Sequence, residues 1–184
     1  MLLVELRRRA EKHDHISIMN RRIDRFLDLV ALGTVADVAP LTNINRALVR
    51  YGLGQIQGEP RLGIEALCKV SGVETNAINE GDLGFKLGPR VNAAGRLENA
   101  ADGFVLLTGT DAQSVHKMAV RVDEQNAQRR QIQSKIESEA LAQAERIMTG
   151  EPPEILILHG DDWHPGVVGI VASRVVETFQ LPVF

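Results

Sequence analysis

Between Asp111 and Met148 the chain reads DAQSVHKMAVRVDEQNAQRRQIQSKIESEALAQAERIM, a stretch without proline or glycine. Thr110 and Gln113 have capping-box spacing, and Val115, Met118, Ala119 and Val122 form an apolar stripe at helical period. The stripe weakens across Gln125 to Arg130. It resumes with Ile132, Ile136, Ala140, Ala144 and Ile147. One continuous helix of this length would reach roughly 55 Å at ~1.5 Å per residue, longer than a typical globular helix. The weak middle section predicts a bridge between two bodies, solvated where neither covers it.

Downstream, Gly150 and Pro152-Pro153 break the pattern. Ile155-Leu156-Ile157-Leu158 reads as a strand buried on both faces. After a turn through His159 to Pro165, a helix carries Val168, Val171, Ala172, Val175 and Phe179 on one face, and Leu181 to Phe184 opens a second apolar run. Strand, helix and strand make the beginning of a βαβ unit. Upstream, Leu2 to Lys12 reads as a short amphipathic helix, and His13-Asp14-His15 as a helix-ending loop rather than a metal site. A second helix is expected after Asn20 as N-cap, carrying Ile23, Phe26, Leu27 and Val30 and ending in a turn near Leu41. Helices follow at about Asn43–Ile56, Leu62–Val70 and Ala100–Leu107. Asp82 to Leu97, with Gly84, Gly88, Pro89 and Gly95, reads as a packed loop-and-turn segment. The fold class is therefore α/β overall but mostly α-helical.

The 184 residues are 44% hydrophobic, 24% charged and 4% aromatic, which disfavours an aromatic-rich all-β sandwich. A net charge of -3 gives no global basicity, although local arginines can still hold phosphates beside an acidic metal site. The single cysteine, Cys68, lies in a helical apolar pattern with Ile64, Leu67 and Val70; it cannot form an intrachain disulfide. A reducing cytoplasm is the expected setting. No apolar run approaches the ~20 residues that would span a bilayer.

Three clusters could carry chemistry. Asp37 sits between Ala36 and Val38 before Pro40, a costly setting for a carboxylate unless it is paired, hydrogen-bonded or metal-bound. Spacing alone favours a capping or salt-bridged aspartate over a ligand. Around Gly88-Pro89, Arg90 and Arg96 would not share a helical face, but in a looped segment they could converge on one phosphate; bracing of domain packing explains them equally well. Around Pro165, two glycines expose backbone N–H groups at a helix start, and His164 is held extended before the proline.

In combination, LGTVADVAPL (32–41), LGFKLGPRVNAAGRL (83–97) and WHPGVVGIVASRVVE (163–177), with a long glycine-free helix between the last two, closely resemble RecJ exonucleases of the DHH phosphoesterase superfamily. The resemblance covers about Phe26 to Phe184. It implies a fragment of a 5′→3′ single-stranded DNA exonuclease of DNA repair and recombination, using two divalent metals, Mn2+ or Mg2+, between two domains. On this resemblance Asp37 is a metal ligand, which reverses the capping reading. Arg90, Asn92 and Arg96 fall in the cleft motif that contacts substrate phosphate. His164, Ser173 and Arg174 belong to the segment opening the second domain and are carried as phosphate-binding positions. Single-stranded DNA, a single-strand-binding protein and a helicase are the implied partners. Residues 1–108 would be the helical part of the catalytic DHH domain, 109–150 the connecting helix and 151–184 the start of the DHH-associated domain.

The departures are equally specific. The family's Asp-x-Asp motif, its further upstream aspartate and its Asp-His-His signature do not occur; Asp14-His15 has no second histidine after it. The Ser-Gly-Arg and Gly-Gly-His motifs of the second domain are also missing. The chain is therefore expected to be incomplete, to lack nuclease activity by itself, and to expose apolar surface that limits solubility. The rivals are a related phosphoesterase of short oligonucleotides or nucleoside bisphosphates, a catalytically inactive DHH-family scaffold, and a helical interaction module with a coiled-coil arm.

Overall fold

In the computed structural model, which describes residues 23–97, 99–150 and 153–184, one helix organises everything else. The helices are α1 (Leu27–Ala36), α2 (Asn43–Gly58), α3 (Leu62–Ser71), α4 (Gly88–Leu97), α5 (Ala101–Thr108), α6 (Ala112–Met148) and α7 (Pro165–Phe179). Helix α6 is continuous over 37 residues. Its cap differs from expectation: the Asp111 carboxylate accepts from the Ser114 N–H at 2.8 Å, so the aspartate one position beyond Thr110 does the capping.

Two separate cores line α6. Val115, Ala119 and Val122 close a core built from α1 to α5, in which Ile56, Ile64, Leu67, Leu83, Leu87 and Leu106 are wholly buried. Cys68 lies within it. Ile136, Ala140 and Ala144 close a second core with Leu156, Val167, Val171 and Val175. The weak apolar stretch between them is not simply solvated. Gln125 and Asn126 are only 3% and 4% exposed, and the Gln125 amide donates to Asp102 at 3.1 Å. The polar residues there meet other polar groups rather than water alone.

Two further expectations are corrected. Asp82 to Leu97 is helical throughout: a single α-turn at Glu80–Asp82 runs into a π-helical segment, Leu83–Leu87, and then α4. Its glycines serve close packing. A Cβ at Gly84 would stand 3.2 Å from Val35 Cγ1, and one at Gly88 2.9 Å from Ala36 Cβ, so a bare backbone lets this segment lie against α1. Pro89 falls in the first turn after the π segment, where a missing N–H is tolerated. The apolar run 155–158, in turn, is buried on one face only. Leu156 and Leu158 point inward, whereas Ile155 and Ile157 are exposed. The run pairs in parallel with the chain end through one bridge, Leu156 to Val183, the geometry a βαβ crossover requires. Leu158 N–H donates to Phe184 O and Phe184 N–H to Leu156 O, both at 2.8 Å.

At the start of the described residues, Ile23–Phe26 is a 3-10 turn leading into α1, whose N-cap position is Phe26. The expected Leu2–Lys12 helix, His13-Asp14-His15 and the Asn20 cap lie outside the described residues. A buried ion pair ties this end down: Asp28, 1% exposed, accepts two bonds from Arg61, from Nε at 2.5 Å and Nη2 at 2.8 Å. Among the described residues no helix is long and apolar enough to cross a membrane.

Candidate metal and phosphate site

Helix α1 ends at Asp37 in a Schellman turn. Ala39 N–H donates to Thr34 O at 3.1 Å and Val38 N–H to Val35 O at 3.0 Å, with Val38 in the left-handed region at φ 54. A β-branched residue there is strained, so the surrounding fold over-determines this turn. Asp37 is thereby fixed at the negative end of a helix dipole, where a bare carboxylate is disfavoured and a cation is welcome. Its side chain is exposed and makes no hydrogen bond or ion pair among the described residues. As a hard oxygen donor it suits a divalent cation such as Mn2+ or Mg2+. It would supply one ligand of the several such an ion takes, because the described residues contain no cluster of three acidic, histidine or cysteine side chains.

The contact between Gly88 and Ala36 sets the first turn of α4 beside Asp37. From that turn Arg90 reaches across to α6: its Nε donates to Asp123 at 2.7 Å and its Nη1 to Lys86 O at 2.7 Å. Arg96, six residues on, leaves α4 about 240° around the axis. Its Nη1 donates instead to Gly166 O at 3.2 Å, at the start of α7. The two guanidiniums thus diverge, because the segment is a helix and not a loop. Asn92 is exposed on the same helix.

The α4–α7 joint is tight. A Cβ on Gly166 would fall 2.1 Å from Arg96 O, so only glycine lets the backbones meet. His164 is the N-cap of α7, its Nδ1 accepting from Gly166 N–H at 3.1 Å. In the neutral ring the proton therefore resides on Nε2. The structure brings Arg96, Gly166 and His164 together. It sets Ser173 and Arg174 apart: nine residues along α7 is about 13 Å. Ser173 donates to Gly169 O, and Arg174 is paired with Glu137 at 3.6 Å and Glu177 at 3.1 Å, a brace between α6 and α7.

One arginine that sequence reasoning passed over belongs to this neighbourhood. Arg129 lies on α6 between the two cores, its Nη1 donating to Gln133 Oε1 at 2.7 Å and its Nη2 to Asn126 Oδ1 at 3.0 Å. Burial, followed by the guanidiniums of Arg96 and Arg130, pulls its pKa below the usual arginine value. A sequence signal existed. Arg129-Arg130 stands where the apolar stripe fails, with amides at i−3 and i+4 on the same helical face.

Among known proteins the likeness is consistent. The chain is 45% identical over 160 residues to the single-stranded-DNA-specific exonuclease RecJ of Dickeya dadantii, covering 85% of this chain and 28% of the relative. It is 40% identical over 173 residues to the protein of the same name from Escherichia coli, covering 92% and 30%. A crystal structure of exonuclease RecJ bound to manganese superposes with a TM-score of 0.81 at 34% identity, over 92% of this chain and 42% of that one. RecJ from Thermus thermophilus in complex with Mg2+ gives 0.76 at 32% identity, over 92% and 26%. No family model matches the chain. The chain thus spans under a third of the length of these curated relatives.

Proposed function

The chain belongs to the RecJ family, and from that premise we propose that it forms the phosphate-holding wall and one metal ligand of a metal-dependent 5′→3′ single-stranded DNA exonuclease. The observation that carries this reading is the apposition of α1 and α4. Through Gly88 and Ala36 it sets an unpaired carboxylate, Asp37, beside the arginine-bearing helix that joins α7.

In a phosphodiester hydrolysis of this class, bound Mn2+ or Mg2+ ions supply the charge that favours an attacking hydroxide and the departing oxygen. The residues of this chain do the rest of their share. Asp37 offers a hard oxygen ligand from a rigid helix end. Arg96 presents guanidinium N–H groups that the bond to Gly166 O leaves available, in a geometry suited to phosphate. Asn92 offers an exposed amide one turn before Arg96. His164, held by its own helix cap, can donate from Nε2. Arg90 acts through Asp123, locking α4 to α6 so that Arg96 keeps its place, and Arg174 holds α7 to α6 in the same manner. The long helix offers a bound strand one continuous wall to follow. Residues 1–108, 109–150 and 151–184 serve as catalytic-domain portion, connector and opening of the second domain. A single-strand-binding protein and a helicase are the partners proposed for the whole enzyme in DNA repair and recombination, and the cytoplasm its location.

One carboxylate does not organise two cations, so this chain alone binds DNA without cutting it. The test is fluorescence anisotropy with labelled single-stranded and duplex oligonucleotides at low salt, with nucleotide release followed in Mn2+. Salt-sensitive binding that favours the single strand, without release, is expected. Absence of single-strand binding would sink the reading, and metal-dependent release would overturn the division of labour.

A further inference from the structure

We propose that Arg129, together with Arg96 and Arg130, forms a second-position phosphate seat at the waist of the molecule, between the two cores and beside the α4–α7 joint. The inference deepens the DNA-wall reading above and takes its substrate class, a nucleic-acid phosphate, from it. Two of its three residues, Arg129 and Arg130, lie outside the sequence motifs.

Charge compensation gives the first argument. Arg61, Arg90, Arg121 and Arg174 each face a carboxylate. Arg96, Arg129 and Arg130 face none among the described residues, and the charges of Arg96 and Arg130 add to burial in lowering the pKa of Arg129. Arg46, Arg50 and Arg146 are unpaired with a carboxylate among the described residues as well; what sets these three apart is that they crowd one another, an arrangement suited to an anion from outside.

Hydrogen bonding gives the second. Two arms of the Arg129 fork are held by neutral amides, Gln133 and Asn126, which fix the plane of the guanidinium without neutralising it. Asn126 is itself 4% exposed, so this support is rigid. The third nitrogen, Nε, is buried, and its N–H meets no acceptor among the described residues. Unsatisfied buried donors are rare, and each calls for an explanation such as a ligand or ordered water. A phosphate oxygen seated on the guanidinium would supply that acceptor and offset the like-charge crowding. Hydrogen bonds to an ionised group are the strong ones.

The experiment uses the whole chain and the variants Arg129→Gln, Arg129→Lys and Arg130→Gln. Anisotropy with a 3′-labelled oligothymidylate is measured across a salt series, with a 5′-hydroxyl and a 5′-phosphate version; thermal unfolding is measured with and without inorganic phosphate. Arg129→Gln is expected to weaken DNA binding roughly tenfold. It should also flatten the plot of log affinity against log salt by about 0.7, the change for one phosphate no longer neutralised. Arg129→Lys should fall between, keeping the charge but not the fork. Without phosphate, Arg129→Gln should melt no lower than the parent chain, because it relieves crowding. Phosphate should raise the melting temperature of the parent and not of Arg129→Gln. Equal losses with both oligomers mark an internal phosphodiester as the occupant, and a loss only with the 5′-phosphate marks the terminal group. Unchanged affinity and salt slope in Arg129→Gln would overturn the seat. So would a drop in melting temperature with the phosphate response intact, which is the behaviour of a structural brace. If the parent chain binds no DNA, the family-based reading fails; a phosphate response lost in Arg129→Gln would then still support an anion seat.

Discussion

The joint between α4 and α7 gives a sharp prediction, because two glycines in one helix face opposite situations. A Cβ on Gly166 would lie 2.1 Å from Arg96 O and 3.0 Å from Arg96 C, both backbone atoms that cannot rotate away. A Cβ on Gly169 would meet nothing within 4 Å. Replacing glycine by alanine inside a helix gains about 0.5–1 kcal/mol through propensity, and less near the first turn. At 169 that gain should appear undiminished. At 166 the carbonyl must retreat by about 1 Å, and forced repacking of that kind costs typically 1–3 kcal/mol. Gly166→Ala should therefore destabilise by about 1–2 kcal/mol and Gly169→Ala should stabilise by about 0.5–1 kcal/mol. Urea unfolding followed by far-ultraviolet circular dichroism and by the fluorescence of Trp163, the single tryptophan, measures both. The same displacement breaks the Arg96 to Gly166 hydrogen bond, so Gly166→Ala should also weaken single-strand binding. Equal stabilities for the two variants would show that α4 and α7 do not meet as described, and the grouping of Arg96 with His164 would go with them.

Two more predictions concern the larger core. Asp28→Ala strands the Arg61 guanidinium in a part-buried site and should cost about 3–5 kcal/mol in chemical denaturation, whereas replacing both partners with apolar residues of similar volume should cost far less. Burial, then the charges of Asp82 and Glu65, pushes the Cys68 thiol from 9.0 up to about 11. A group whose folded pKa is raised stabilises fully below its unfolded pKa, so this contribution persists to about pH 9 and is lost as pH rises towards 11. Unfolding measured across that window should show the decline, and Cys68→Ala should flatten it.

How much of the molecule is legible in its sequence follows from what each segment depends on. Helix α6 and the helices at 43–58 and 62–71 are readable because proline-free, amphipathic runs that end at or before a glycine leave little choice of period. The helical nature of 83–97 is hidden, because Gly84 and Gly88 carry the same letters whether they make a turn or let α1 approach, and only tertiary contact separates the two. The run 155–158 looks continuous to a one-dimensional reading, yet Ile155 and Ile157 find no covering layer among the described residues. Asp37, Arg96 and His164 can be named from motif strings, while their distances cannot. The divergence of Arg90 from Arg96 follows from their spacing once the segment is a helix, whereas the position of Arg129 beside Arg96 depends on how helices cross, which no spacing along the chain encodes.

Photocrosslinking tests the central claim most directly. Single-stranded DNA carrying 5-iodouracil would be irradiated with the intact chain, and the attachment points located by mass spectrometry. Attachments concentrated on residues 92–97, 126–133 and His164 are the expected result. Attachments on the outer faces of α2 and α5, around Tyr51 and Phe104, would contradict the account.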